Sequence, residues 1–423
     1  MQQPVTAKSD AYGASLLGRL DALAVFSEVE GQLTRRYLSP AHLAANRHIA
    51  AVMQAAGLRV WTDPLFSVFG RYEGRRPNAP AIMLGSHLDT VLDAGRYDGA
   101  LGVLAAIAVV AELSRLGERL EHAVEVAAFG EEEGSRFPAH ILTSSALIGA
   151  VGRDLLEGRD RDGISVSEAL AAAGGNPDAY VECVRKTGEI AAYLELHIEQ
   201  GPVLEARGLA MAAVTGINGS QRLAVTVSGI AGHAGTVPML QRRDALTAAS
   251  EMVLALERLA LGEAALVATV GQITALPGAQ NVIPGKVAFT IDMRSPSDDV
   301  LARAAKALAL ELEQIAARRG VHLETATYQA NAATPLSPVV ITAVLEAIAA
   351  CGHTPLNLPS GAGHDAGIMA RFCPAGMIFL RCRGGISHNP AEAITAADAD
   401  AGVRALLEAT RRLDGRLAGK KIP

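Results

Sequence analysis

Gly85-Ser86-His87-Leu88-Asp89-Thr90 follows the apolar run Ala81-Ile82-Met83-Leu84, and Tyr97-Asp98-Gly99 comes shortly after it. The apolar run is short and stops at a glycine, which predicts a buried strand. Gly99 to Leu113 is rich in alanine and apolar nearly all round, which predicts a buried helix. His87 then sits where a strand ends, and Asp98 sits just ahead of a helix. In open α/β sheets, sites form outside the carboxyl ends of the strands. A His and two Asp at this spacing read as the first half of a metal centre.

Outward from this stretch, residues 10–57 carry helical periodicity, with Ser39-Pro40 as an N-cap and N1 signal for a helix ending near Ala56, before Gly57. Leu58 to Gly74 alternates and is rich in β-formers, which predicts a hairpin. Residues 124–129 predict a second strand, so the 99–116 helix joins two strands in a β-α-β alternation with parallel pairing. Residues 152–190 are polar and rich in Gly and Asp, and read as a surface excursion with one short helical piece. Ala192 to Ile198 is another strand, again ending at a His.

The character changes near residue 214. Strands at 223–229, 267–273 and 286–293 alternate with amphipathic helices at 243–259 and 299–319, giving the order β-α-β-β-α of an α+β module. Helix 337–351, strand 376–380 and a helix from about 396 to 415 return to the first pattern. The expected class is therefore α/β: a mainly parallel-sheet domain flanked by helices (residues 1–213 and 331–423) with an inserted α+β domain (residues 214–330).

At 423 residues, two domains are the natural expectation. A net charge of -6 and a pI near 6.0 give no electrostatic footprint for nucleic acid. The four cysteines, Cys183, Cys351, Cys373 and Cys382, are scattered without a C-x-x-C pair, as in reduced cytosolic proteins. The longest apolar run is too short to span a bilayer, and Met1 to Leu20 lacks an apolar signal core. The expectation is a cytoplasmic protein with no membrane partner.

Three further stretches carry chemistry. Glu131-Glu132-Glu133-Gly134 follows the 124–129 strand, Glu195-Leu196-His197-Ile198-Glu199-Gln200-Gly201 closes the 192–198 strand, and Gly384-Gly385-Ile386-Ser387-His388-Asn389-Pro390 follows the 376–380 strand. Three adjacent acids alone describe a solvated turn, and a lone His is usually a polar core or surface residue. Here three His, an Asp and the acids all fall at the ends of apolar strands, which points to a metal site. Imidazoles and carboxylates without thiolates suit Zn²⁺, Mn²⁺ or Co²⁺. Five candidate ligands and a spare carboxylate are enough for two metals sharing one carboxylate, with the spare group moving the proton of an activated water.

The stretches GSHLDT, RYDGALG, EEEGSRF, ELHIEQGP, GHAGTVPM, NVIPG, DMR, SGAGHDA and GISHNPAE, in this order, resemble the M20-type amidohydrolases. More narrowly they resemble the hydantoinase/carbamoylase branch: N-carbamoyl-L-amino-acid hydrolases, allantoate amidohydrolases and β-ureidopropionases. The resemblance runs from about Phe26 to the C-terminal helix. It implies two divalent metals per subunit (Zn²⁺, Mn²⁺ or Co²⁺), one on His87, Asp98 and His197 and the other on Asp98, Glu133 and His388. It further implies Glu132 as general base, Asp89 as the acceptor orienting His87, and His233 as the group that polarises the substrate carbonyl or stabilises the tetrahedral oxyanion, often in the partner subunit's site. Asn281 and Arg294 resemble the residues that hold a substrate carboxylate, with Gln200 and the Gly361–Asp365 loop lining the same pocket. His364 has no assigned role, and Glu131 occupies the variable position of the acidic triplet.

The implied activity is metal-dependent hydrolysis of a linear ureido or amide C–N bond in a small carboxylate substrate, releasing ammonia and CO₂. The alternative is an aminoacylase or dipeptidase of the same fold, disfavoured because those relatives commonly place Asp where this chain has His197. A homodimer formed through the inserted domain, which would also act as a lid, completes the expectation. One departure stands out: residues 63–69 read Asp-Pro-Leu-Phe-Ser-Val-Phe, where relatives usually carry a Gly-Asn pair.

Overall fold

The computed structural model describes residues 11–419; the reading of residues 1–10 as free of a signal core lies outside them. In chain order, the first part comprises helices α1 (Ala11–Ala24) and α2 (Pro40–Ala55), strands β1 (Arg59–Thr62), β2 (Val68–Tyr72) and β3 (Ala81–His87), helix α3 (Ala100–Arg115) and strand β4 (Ala123–Phe129). Short helices α4 (Leu142–Leu147), α5 (Arg153–Leu156) and α6 (Val166–Ala172) precede β5 (Ile190–Ile198), α7 (Val203–Ala206) and β6 (Met211–Ile217). The middle part holds β7 (Gly219–Ser228), β8 (Gly232–His233), α8 (Ala245–Leu261), β9 (Val267–Leu276), β10 (Val282–Ile283), β11 (Lys286–Ser295), α9 (Asp298–Arg319) and β12 (His322–Asn331). The last part holds β13 (Thr334–Pro335), α10 (Pro338–Ala350), β14 (Asn357–Ser360), α11 (Asp365–Met369), β15 (Ala375–Leu380) and α12 (Ala396–Leu417).

The chain divides into two compact units, one ending at Thr215 and resuming at Leu336–Leu358 and from Ala362, the other formed by Gly216–Pro335 and Pro359–Gly361. The first unit carries a mixed sheet in the order β1-β2-β4-β3-β5-β15-β6. Its centre is parallel: β4 with β3, β3 with β5, and β5 with β15. The flanks are antiparallel, because β1 and β2 form the expected hairpin, β2 runs against β4, and β6 runs against β15. The expected parallel sheet thus holds for the strands joined by helical crossovers, while the hairpin adds its strands in the opposite sense.

Both faces of the central strands are covered, which is why they read as continuous apolar runs. Leu20 of α1, Ile49 and Met53 of α2, Leu104 and Ile107 of α3, Val344 of α10 and Leu406 of α12 pack on one face with Leu84, Val126, Leu194 and Ile378. Helical periodicity over residues 10–57 resolves into two helices with an irregular stretch between them, and Ser39 Oγ accepts the His42 N–H at 3.1 Å as the predicted N-cap. Residues 152–190 differ from a plain surface excursion. They form α5, α6 and a 3-10 turn at Pro177–Cys183, and bury Leu156, Val166, Leu170 and Cys183 against Tyr37, Leu65, Phe137 and Leu142.

The second unit is an antiparallel sheet in the order β12-β7-β11-β9. Val225, Val227, Phe289 and Ile291 face Ala248, Met252, Leu308 and Leu312 of α8 and α9. The sequence order β-α-β-β-α missed β12, because His322–Asn331 is an edge strand whose residues are mostly exposed and carry no apolar alternation.

Candidate metal centre

Four adjacent parallel strands, β4, β3, β5 and β15, all end at one edge of the sheet. That single fact gathers motifs far apart in the chain. His87 is the last residue of β3, His197 is the penultimate residue of β5, the acidic triplet follows β4, and His388 follows β15. The β3–β5 register pairs Leu84 with Leu194, so it brings His87 level with His197, and their rings stack at 5.9 Å.

Asp98 stands at the centre. One carboxylate oxygen lies 3.0 Å from His197 Nε2 and 3.7 Å from His87 Nε2, and the other lies 3.2 Å from His388 Nε2. His388 Nε2 is also 3.5 Å from Glu133, and Glu132 approaches His87 Nε2 at 4.0 Å. Ligand atoms of His87, Asp98 and His197 lie within 4.8 Å of one another, as do those of Asp98, Glu133 and His388, so Asp98 is common to both groups. His87, Asp98 and His197 are buried while the His388 side chain is half exposed, so the cluster is reachable from the His388 side.

The electrostatics fit a cation. Burial and the neighbouring Glu133 charge hold the Glu132 carboxyl well above its ordinary range, and burial with the Asp98 charge pushes Glu133 up to about 9. Burial would raise Asp98 too, but its hydrogen bonds with His197 and His388 hold it well below the carboxylate range. Burial draws His197 down, yet the Asp98 bond leaves it raised to about 9. Carboxylates crowded out of water at this density need compensating positive charge. The donors are imidazole nitrogens and carboxylate oxygens, the set that divalent zinc, manganese or cobalt accepts. The residues present fit such a group.

Local structure aims these side chains. Asp89 accepts the Glu132 and Glu133 N–H groups at 3.1 Å each, which ties the acidic loop to the strand carrying His87. His87 Nδ1 meets the Asp89 carbonyl at 3.0 Å, nearer than the Asp89 carboxylate at 3.7 Å, and His197 Nδ1 meets the Ile198 carbonyl at 2.9 Å. Each contact leaves Nε2 facing the cluster. Glu131 turns away: its carboxylate accepts the Phe137 and Arg136 N–H groups at 2.7 and 3.3 Å. Gln200 donates to Asp98 at 3.0 Å and to Ser387 at 3.1 Å, so its amide sits inside the cluster. His364, left without a role by the sequence, is buried with its ring 4.4 Å from that of His197.

His233, Asn281 and Arg294 belong to the second unit. His233 pairs with Val282 across β8 and β10, and the Asn281 carbonyl accepts the Ala234 N–H at 2.9 Å, which makes the two neighbours. Arg294 is gripped by Asp292 through Nε at 3.1 Å and Nη2 at 2.8 Å, and donates to the Gly361 carbonyl at 2.8 Å. Sequence reasoning passed over Ser387 and Glu392, although both lie in the quoted GISHNPAE stretch. A buried carboxylate two residues beyond a proline has no distinguishing spacing. Among the described residues, no helix is long and apolar enough to cross a membrane.

The chain resembles known proteins in sequence and in fold. Residues 83–412 match the profile of peptidase family M20/M25/M40. An N-carbamoyl-L-amino acid amidohydrolase of Geobacillus stearothermophilus is 41% identical over 90% of this chain and 93% of its own. An allantoate deiminase of Arabidopsis thaliana is 38% identical over 93% of this chain and 81% of its own. The crystal structure of a hydantoinase/carbamoylase family amidase from Burkholderia multivorans superposes with a TM-score of 0.90 at 35% identity, covering 95% of this chain and 97% of that one.

Proposed function

The chain belongs to the M20 amidohydrolases, in the hydantoinase/carbamoylase branch that cuts C–N bonds, and from that premise we propose that it hydrolyses the terminal ureido bond of a small carboxylic acid, an N-carbamoyl-L-amino acid or allantoate. The observation that supports this most is the carboxylate-centred cluster of His87, Asp98, Glu133, His197 and His388 with Glu132 beside it. Two divalent cations held by these ligands would supply Lewis acidity to the carbonyl and lower the pKa of the attacking water. Glu132 takes the proton of that water and delivers it to the departing nitrogen. The new C–O bond forms as the C–NH₂ bond breaks, ammonia leaves, and the remaining carbamate loses CO₂ to free the amine. Asp89 fixes the loop bearing Glu132.

In the second unit we assign His233 to the substrate carbonyl oxygen, and Asn281 and Arg294 to the substrate carboxylate. The guanidinium fork suits a carboxylate, and Asp292 holds it in one orientation. The same unit is assigned to pairing of two subunits and to covering the substrate. Edge strand β9 leaves Val267, Ile273 and Leu276 exposed, and α8 leaves Leu254 and Leu261 exposed.

The test is ammonia release by metal-stripped protein refilled with Mn²⁺, Zn²⁺ or Co²⁺ and offered allantoate, N-carbamoyl-L-amino acids, N-carbamoyl-β-alanine and dipeptides in parallel. Metal-dependent ammonia from a ureido acid, with dipeptides intact, is expected and names the substrate. Release of free amino acids from dipeptides instead would move the protein to the peptidase side. Glu132→Ala should lose about 10²–10⁴-fold in turnover.

A further inference from the structure

Glu392 is 5% exposed and, among the described residues, makes no ion pair with Lys or Arg, yet it joins the two loops that carry Asp98 and His388. Its Oε1 accepts the Tyr97 N–H at 2.8 Å and the Asp98 N–H at 3.1 Å. Its Oε2 lies 3.2 Å from Ser387 Oγ, beside His388 in the chain. Ser387 Oγ in turn lies 3.1 Å from Asp98 Oδ2 and accepts from Gln200 Nε2 at 3.1 Å. The hydroxyl stands between the two carboxylates and has one proton, so it donates to one of them at a time. Gly95 shows how closely the loop is drawn in: a Cβ there would fall 2.3 Å from the Glu392 carboxyl carbon.

We infer that Glu392 is a positioning residue that holds the Asp98 carboxylate and the His388 loop in register, and so sets the affinity of the metal shared by Asp98, Glu133 and His388. The inference rests on the two-metal reading above. The Asp98 N–H is buried and has Glu392 as its acceptor, with the half-buried Tyr97 N–H on the same oxygen, so the carboxylate fixes the backbone from which Asp98 points. Asp98 belongs to both groups, but the first keeps His87 and His197, carried on β3 and β5, whereas the second has both Asp98 and His388 on the clamped loops. Loss of the clamp therefore falls mainly on the second ion.

The experiment titrates metal-stripped protein with Zn²⁺ by calorimetry and counts bound metal after dialysis, for wild type, Glu392→Ala, Glu392→Gln and Gly95→Ala. Wild type should hold two ions. Glu392→Ala should keep the first and bind the second about 10–100-fold more weakly, the size of effect that supporting groups have on metal sites. Glu392→Gln should recover most of that affinity, because its amide oxygen still accepts both N–H groups and its amide nitrogen donates to Ser387, leaving the hydroxyl proton to Asp98. Gly95→Ala, which displaces the clamp from the opposite loop, should copy Glu392→Ala and serves if that variant does not fold. Two ions bound with wild-type affinity in the folded Ala variants would overturn the clamp alone. Fewer than two ions in wild type would overturn the two-metal reading, and the clamp with it.

Discussion

Gly99 adopts φ +63°, and a methyl group there would lie 2.4 Å from the His87 ring. Only glycine meets both demands at once, the left-handed turn and the contact with a ligand ring. Gly99→Ala should therefore cost about 1–3 kcal/mol by overpacking and displace His87. Denaturant unfolding should show that loss, and turnover and metal content should fall together; normal metal content in the folded variant would contradict it. Glu131, Gln200 and His388 also carry positive φ, at 55°, 56° and 55°. Three residues in the loops around one cluster with a backbone conformation that L residues seldom adopt is the kind of strain that gathers at functional sites. None of it was legible in the sequence, because the pattern of residue types does not report the backbone angle.

At the scale of the element, the parallel strands tolerate one charged residue at the end away from the metal cluster. Glu125 near the start of β4 is 1% exposed and is satisfied by Arg71 of β2 at 2.8 Å and by Arg185 at 3.0 Å. Arg71→Met removes one partner and leaves a buried carboxylate with a single cation. Breaking such a pair costs about 3–5 kcal/mol, and the remaining Arg185 keeps the expected value near the low end. Urea unfolding should read that loss while the folded variant keeps its turnover, since the site lies at the other strand ends. Helix and strand positions were mostly legible: β3, α3, β4, β5 and β15 follow from apolar runs bounded by glycine and polar turns. β12 and the helices of residues 152–190 were not, because their sequences are polar and their order depends on what they pack against.

For the whole molecule, metal and assembly are the levers. Removing divalent metal with a chelator should lower Tm, because the buried and crowded Glu132 and Glu133 carboxyls then lose the cation that offsets them. Metal at 1,000 times its Kd stabilises the folded chain by about 4 kcal/mol, which corresponds to roughly 5–10 °C. An unchanged melting curve on chelation would argue against the site. On the subunit pairing proposed for the second unit, Ile273→Lys with Leu276→Lys places charge on the exposed edge strand β9 and should turn that dimer into monomers by light scattering. Identical masses for variant and wild type would remove β9 from the interface.

The sequence by itself determined the class of fold, the strand ends at His87 and His197, and the chemistry of the donors. Burial of an apolar run and the ligand preference of a side chain are local properties. Only the tertiary structure decided that β4, β3, β5 and β15 are neighbours running the same way, so that residues as distant as His87 and His388 share Asp98. It also decided the antiparallel flanks of the sheet, the second apolar cluster around Tyr37 and Phe137, and the grip of Glu392 on the Asp98 loop. Strand order and register come from hydrogen bonds and packing between segments far apart in the chain, and no local pattern of residue types encodes which segments will meet.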